Sequence, residues 1–171
     1  MSLSLVPARV FSSYAAVTPE YLADRGVRLL LSDLDFTLAP KSCPAPDEAV
    51  RAWIASMQRA GIEVMILSNN RSPVRVERFC KDLGIRYIGW AKKPWPPGFR
   101  RARALTGVPA GETAMLGDKL LTDMLGANLN GCLALMVEPM GGAVTPWQKV
   151  LHAFQAPFKA VCRRRVEKSR G

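Results

Sequence analysis

Residues 27–37 read VRLLLSDLDFT, and their reading decides the fold. Apolar side chains stand at consecutive positions here, not at alternate ones, which suits a strand covered on both faces, as in a parallel sheet. The run ends in Asp33 and Asp35, flanking Leu34. The end of a buried strand is a costly place for two carboxylates, because each loses hydration and they repel one another. Backbone alternation can aim both at one site, where they stay ionised only beside a cation. Hard oxygen donors of this kind suit Mg²⁺.

The same design recurs along the chain in IEVMILS (62–68), IRYIGW (85–90), ETAMLGD (112–118) and CLALMV (132–137). Helical patterns fill the gaps. From Pro46 to Ala60, Val50, Trp53, Ile54 and Met57 fall on one face, and Gly61 follows as a stop. Ser72–Pro73 is an N-cap and first-turn pair opening a helix with Val76, Phe79, Cys80 and Leu83 on one face, stopped by Gly84. Phe99, Ala102 and Leu105 predict a third helix before Gly107. Leu121, Met124, Leu125 and Asn128 predict a fourth, ending near Gly131. Strand and helix alternate, so the expected fold is a three-layer α/β/α Rossmann-like domain on a mainly parallel five-stranded sheet. The expected organisation is an N-terminal extension at 1–26, a catalytic core at 27–140 and a basic tail at 141–171.

The 171 residues suit one domain, and 49% hydrophobic against 22% charged residues is ordinary globular composition. A net charge of +10 favours anionic partners, whether nucleic acid, acidic lipid or phosphorylated substrates. Cys43, Cys80, Cys132 and Cys162 form no CxxC pair, and His152 is the single histidine, which argues against a zinc cluster and for reduced thiols in the cytoplasm. The N-terminus lacks the continuous apolar core of a signal peptide. No apolar stretch reaches the roughly 18–20 residues of a spanning helix.

In doubly wound sheets ligands bind beyond the carboxyl ends of the strands. Asp33, Ser68 and Asp118 all fall there, on three different strands. Asp123 lies one helical turn past Asp118, and Lys92 and Lys93 in AKKPWPP supply cations near the end of IRYIGW. A Mg²⁺ site, a carboxylate nucleophile, a hydroxyl and a lysine form a phosphoryl-transfer set.

These residues resemble the four motifs of the haloacid dehalogenase superfamily of phosphatases. DLDFT is similar to the family's DxDxT, Ser68 of SNN to its second motif, KKP to its third and GDKLLTD to its paired-aspartate fourth. More closely, ILSNN, KKP and GDKLLTDMLGANLNG resemble the small YqeG-type group of class IIIA, which carries SNN, RKP and GDQLLTDVLGGNRNG. Phe36 departs from that group, which usually has Asn in DLDNT.

The resemblance implies roles. Asp33 is the nucleophile, Asp35 the acid and then the base, and Lys93, the lysine directly before proline, the charge clamp. Mg²⁺ is held by Asp33, the Asp35 carbonyl and Asp118, with Asp123 supporting the metal shell or orienting Lys93. Ser68 neutralises phosphoryl oxygens, and Asn69 and Thr37 are the further substrate-binding candidates. Family members often insert a cap domain, but the segments 37–46 and 70–93 are too short for one. An open site favours large or surface-bound phosphomonoesters, and related members are thought to hydrolyse phosphatidylglycerophosphate. The alternatives are a phosphatase of another phosphometabolite or phosphoprotein, or a non-enzymatic RNA- or ribosome-binding module. No RRM, KH or helix-turn-helix signature supports nucleic-acid binding.

The tail begins with Thr145–Pro146 and places Trp147, Val150, Leu151, Phe154, Phe158 and Val161 on one helical face, with Lys149, His152 and Lys159 off it and Arg163, Arg164, Arg165, Lys168 and Arg170 beyond. Pro157 is expected to kink or split that helix. Such a face either packs on the protein or lies on an anionic membrane on its cytoplasmic side.

Overall fold

A computed structural model describes residues 4–71, 73–141 and 156–162. Six strands form one all-parallel sheet: β1 (Arg9–Phe11), β2 (Leu29–Ser32), β3 (Glu63–Leu67), β4 (Arg86–Ile88), β5 (Thr113–Gly117) and β6 (Leu133–Val137), in the order β1-β6-β5-β2-β3-β4. The expected five strands are all present. The sixth, β1, adds an edge by pairing Arg9 with Leu135 and Phe11 with Val137. It is three residues long and has no apolar run, so no periodicity announces it.

The helices are α1 (Pro19–Ala23), α2 (Glu48–Arg59), α3 (Pro73–Leu83), α4 (Pro96–Thr106) and α5 (Leu125–Leu129), with a further helical segment at 156–162. Asp47 caps α2 by accepting a 2.9 Å hydrogen bond from the Val50 amide. Ser72, the expected cap of α3, lies outside the described residues.

All four residues of β2 are buried, and the two faces of the sheet carry separate cores. Leu30, Val64 and Ile66 pack under Trp53, Ile54, Met57 and Phe79 of α2 and α3. Leu29, Leu31 and Met65 pack under Phe99, Ala102 and Ala127 of α4 and α5. Each fully buried large side chain contributes on the order of 1.5–3 kcal/mol of transfer free energy. These runs are apolar throughout because both faces are covered.

Two helical expectations shift in detail. A π-helical turn, Leu120–Met124, precedes α5. It turns Leu120, Met124 and Ala127 inward and leaves Leu121, expected on the apolar face, 47% exposed. Leu105, at the end of α4, is likewise exposed.

Most of the tail lies outside the described residues. Within 156–162, Phe158 packs against the second core, Cys162 is buried, and Lys159 pairs with Glu138 at 2.6 Å. Pro157 lies in this described segment, but the residues before 156, on which the expected kink turns, lie outside the described residues. The buried side therefore includes Lys159 and Cys162, and Val161 is the more exposed residue.

After β2 the chain winds through β3 to β4, then crosses back to place β5 on the other side of β2. The crevice at this switch point opens above the carboxyl end of β2, where Asp33 stands. No described helix is long and apolar enough to cross a membrane.

Candidate active site

Asp33 follows β2 directly, its amide bonded to the Leu116 carbonyl at 2.9 Å. The chain then turns tightly over 34–39, with the Phe36 amide bonded to the Ala39 carbonyl at 2.8 Å. Phe36 takes φ 66°, a left-handed conformation that Asn tolerates better than a bulky ring. This is a backbone reason for the Asn usual in the YqeG-type group.

The turn delivers Asp33 and Asp35 to one cleft of about 280 Å³, lined also by Phe36, Lys41, Ser68, Asn69, Asn70 and Lys119. Ser68 ends β3, its amide bonded to the Ile88 carbonyl at 3.0 Å and its hydroxyl accepting from the Asn70 amide at 3.1 Å. Asn69 also clamps the third-motif loop: its Oδ1 accepts from the Lys93 amide at 2.7 Å and its Nδ2 donates to the Lys93 carbonyl at 2.9 Å. Thr37 is fully buried, and its hydroxyl donates to Asp118 Oδ1 at 3.3 Å. It braces the Asp118 carboxylate.

The structure brings Lys93, not Lys92, to Asp33. Lys93 Nζ lies 3.0 Å from Asp33 Oδ1 and 2.7 Å from Asp123 Oδ1, with its side chain 1% exposed. Lys92 is exposed, 5.1 Å from the Trp90 ring centroid. The contact to Asp123 is a close ion pair, and Asp123 Oδ1 has no further polar partner among the described residues.

Two residues of the site were not singled out from the sequence. Lys119 Nζ bridges Asp33 Oδ2 at 3.0 Å and Asp118 Oδ1 at 2.8 Å. Its position beside Asp118 was the available signal. Arg75 holds the Asp35 carboxylate through Nε at 2.9 Å and donates to the carbonyls of Pro40, at 2.9 Å, and Cys43. Forty residues separate Arg75 from Asp35, and no local pattern foretells the meeting.

Carboxylate oxygens of Asp33, Asp118 and Asp123 all lie within 4.8 Å of one another. Asp35 is outside this group; its side chain faces Arg75. Burial pushes Asp33 upward, but Lys93 and Lys119 outweigh it and hold the group at about 2. Burial pushes Asp118 up to about 6; Lys119 opposes this and Asp123 and Asp33 add to it. Asp123 is raised by burial, against Lys93. Lys93 and Lys119 are raised, since the carboxylates around each outweigh the burial that lowers them. The fully ionised cluster sets three carboxylates against two ammoniums and carries one net negative charge. Three buried carboxylates gathered within 4.8 Å, one negative charge in excess of their lysines, fit a divalent cation.

The Asp118 shift has a measurable sign. Its folded-state value of about 6 exceeds the ordinary 3.8, so its stabilising contribution is complete below about pH 4 and is lost as pH rises through 6. In EDTA, Asp118→Asn should gain stability relative to the parent between pH 4 and 7, by at most about 3 kcal/mol. Asp33, held low, acts in the opposite direction and only as pH falls toward 2. Thermal melts of both proteins across this range check it; a difference independent of pH would contradict it.

Gly117 has a steric duty. A Cβ there would lie 2.4 Å from the Asp123 Cγ. Gly117→Ala is therefore expected to push Asp123 off Lys93, lowering kcat/KM on an aryl phosphate roughly 10²-fold and destabilising the fold by about 1–3 kcal/mol. Unchanged kinetics and an unchanged melting temperature would contradict the packing seen here.

A parallel sheet with a buried carboxylate at its switch point, a buried lysine against it and a paired-aspartate loop is the setting in which comparison with known proteins places a class of hydrolase. Residues 12–131 match the haloacid dehalogenase-like hydrolase model, and the chain belongs to that family. It is 37% identical over 127 residues to "Probable phosphatase YqeG" of Bacillus subtilis, covering 74% of this chain and 73% of that protein, and it is a phosphatase of this YqeG type. Solved structures share the fold. The cobalt-bound deoxy-D-mannose-octulosonate 8-phosphate phosphatase of Haemophilus influenzae is 20% identical, with TM-score 0.53, over 66% of this chain and 69% of that one. A subfamily III A hydrolase of Legionella pneumophila is 18% identical, with TM-score 0.50, over 84% and 93%.

Proposed function

We propose that this chain is a Mg²⁺-dependent phosphomonoesterase that works through an aspartyl-phosphate on Asp33, with a lipid phosphate of the phosphatidylglycerophosphate kind as its substrate. The observation that carries it is Asp33 itself: an ionised carboxylate at the switch point, on the wall of an open cleft, with Lys93 on its Oδ1 and Lys119 on its Oδ2.

The residues divide the work. An Asp33 oxygen attacks phosphorus, and the bond from phosphorus to the ester oxygen breaks. Asp35, oriented by Arg75, gives that oxygen a proton. Asp35 then takes a proton from water as the water attacks the phosphorus of the aspartyl-phosphate. Inorganic phosphate leaves and Asp33 is restored. Lys93 and the Ser68 hydroxyl neutralise the phosphoryl oxygens, and Asn69 fixes Lys93 at its backbone. The carboxylates of Asp33 and Asp118, with the Asp35 carbonyl and with Asp123 behind them, would hold Mg²⁺. When bound it turns a negative cluster positive, so that a phosphate dianion is attracted, and it spreads the charge that develops on phosphorus.

The described residues between β2 and α2, and between β3 and Lys93, contain no cap, which leaves the cleft open to a phosphate projecting from a surface. Four free cysteines accord with a reducing cytoplasm. The test is a panel of phosphomonoesters presented to purified protein: a lipid phosphate in mixed micelles, a sugar phosphate, a nucleotide and a phosphopeptide. The lipid should give the highest kcat/KM, EDTA should remove the activity and Mg²⁺ restore it. A soluble ester hydrolysed faster than the lipid would overturn the substrate class; activity in excess EDTA would overturn the metal.

A further inference from the structure

We propose that the rim of this cleft is a docking face for an anionic lipid bilayer, seated through Trp90 and Trp95 among basic side chains; it rests on the lipid-phosphate reading above. Large apolar side chains that are strongly exposed are few among the described residues: Val74, Trp90, Trp95, Leu105, Leu121 and Val161. Four of these six follow the carboxyl ends of strands of the one sheet. Val74 comes after β3, Trp90 and Trp95 after β4, and Leu121 after β5. Trp90 and Trp95 are 59% and 63% exposed. Exposed tryptophans gathered at one end of a domain, around its reactive cleft, mark an interaction surface.

Hollows on the cleft's flanks join Trp90 and Val74 to it. A hollow of about 410 Å³ lined by Arg71, Trp90 and Arg101 shares Asn70 with the active-site cleft. A hollow of about 280 Å³ lined by Val74 and Arg78 shares Lys41 with the same cleft on its other side.

Charge distinguishes this end of the sheet from the other. At the amino ends of the strands, Arg28 pairs with Glu112 at 2.8 Å and Arg86 with Glu63 at 3.7 Å. On the rim, Lys41, Arg71, Arg78, Lys92 and Arg101 make no ion pair with a carboxylate among the described residues. Arg71 and Lys92 instead stand 5.9 Å and 5.1 Å from the Trp90 ring. Indole rings settle at the headgroup level of a bilayer, and nearby Lys and Arg side chains reach its phosphates. Val74 and Leu121 cannot stack on nucleobases but can enter the acyl boundary, which favours lipid over single-stranded nucleic acid. Docked this way, the cleft faces the plane of the phosphates, and no cap is needed to retain substrate.

The experiment uses the full chain with vesicles of neutral lipid alone or mixed with anionic lipid, and reads co-sedimentation and quenching of tryptophan by brominated acyl chains. The parent should bind the anionic vesicles, with quenching, and lose most binding as salt rises from about 0.1 to about 0.5 M. Trp90→Ser with Trp95→Ser, and separately Arg71→Glu with Arg101→Glu, should each weaken partitioning by about tenfold or more. Both should keep the parent kcat/KM on a soluble aryl phosphate, which also shows that they are folded. Absence of binding by the parent, binding of RNA but not vesicles, or full binding by both variants would overturn the docking face. Vesicle binding that responds to the variants in a protein that hydrolyses no lipid phosphate would instead sink the substrate reading and leave the docking face standing.

Discussion

Asp33→Asn is expected to abolish turnover of a generic aryl phosphate, by at least about 10³-fold in kcat, while the protein stays folded. The amide keeps the shape of the side chain but lacks the charge that attacks phosphorus. Structurally the exchange is mild. It leaves Asp118 and Asp123 facing Lys93 and Lys119, two charges against two. A melting temperature near the parent's, beside lost activity, is the combined signature. Activity within tenfold of the parent would show that another group attacks phosphorus.

Lys93→Met is expected to lower kcat on the same soluble substrate by roughly 10²–10³-fold, the usual worth of a fixed charge aimed at a transition state. Lys92→Met should change it by less than about twofold. The two lysines adjoin, but the backbone sends them apart. Asn69 grips Lys93 at both its amide and its carbonyl, and its ammonium is buried between Asp33 and Asp123. Lys92 takes φ 56° and points outward. Removing the Lys93 charge also leaves two buried carboxylates short of a partner, so metal-free Lys93→Met should melt below the parent. Kinetics and melts of both variants check this, and the reverse ranking would contradict the clamp seen in the structure.

The sheet was legible in the sequence for a definite reason. Strands buried on both faces need unbroken apolar runs, and three of the five runs end in a polar residue of the site: Asp33, Ser68 or Asp118. Motif spacing then placed Lys93 and Asp123 nearby. Most of what escaped had no local signal, Lys119 beside Asp118 being the exception. β1 is an edge strand of three residues whose partner lies more than a hundred positions away. The π turn before α5 changes which leucine faces inward without changing any residue type. Arg75 and Lys119 owe their roles to meetings across the fold, and the tight turn that gives Phe36 its left-handed backbone is set by tertiary bonds, including the Met140 amide to its carbonyl at 2.8 Å.

The central claim, a covalent intermediate on Asp33, is tested most directly by catching it. Purified protein loaded with Mg²⁺ is mixed rapidly with a phosphomonoester, quenched in acid within one turnover, reduced with borohydride and digested for peptide mass spectrometry. Reduction turns a phosphorylated aspartate into homoserine. Homoserine at position 33, rising and decaying within the turnover and absent without Mg²⁺, is the predicted result. Unmodified Asp33 throughout a productive turnover, or homoserine at Asp118 or Asp123 instead, would contradict it.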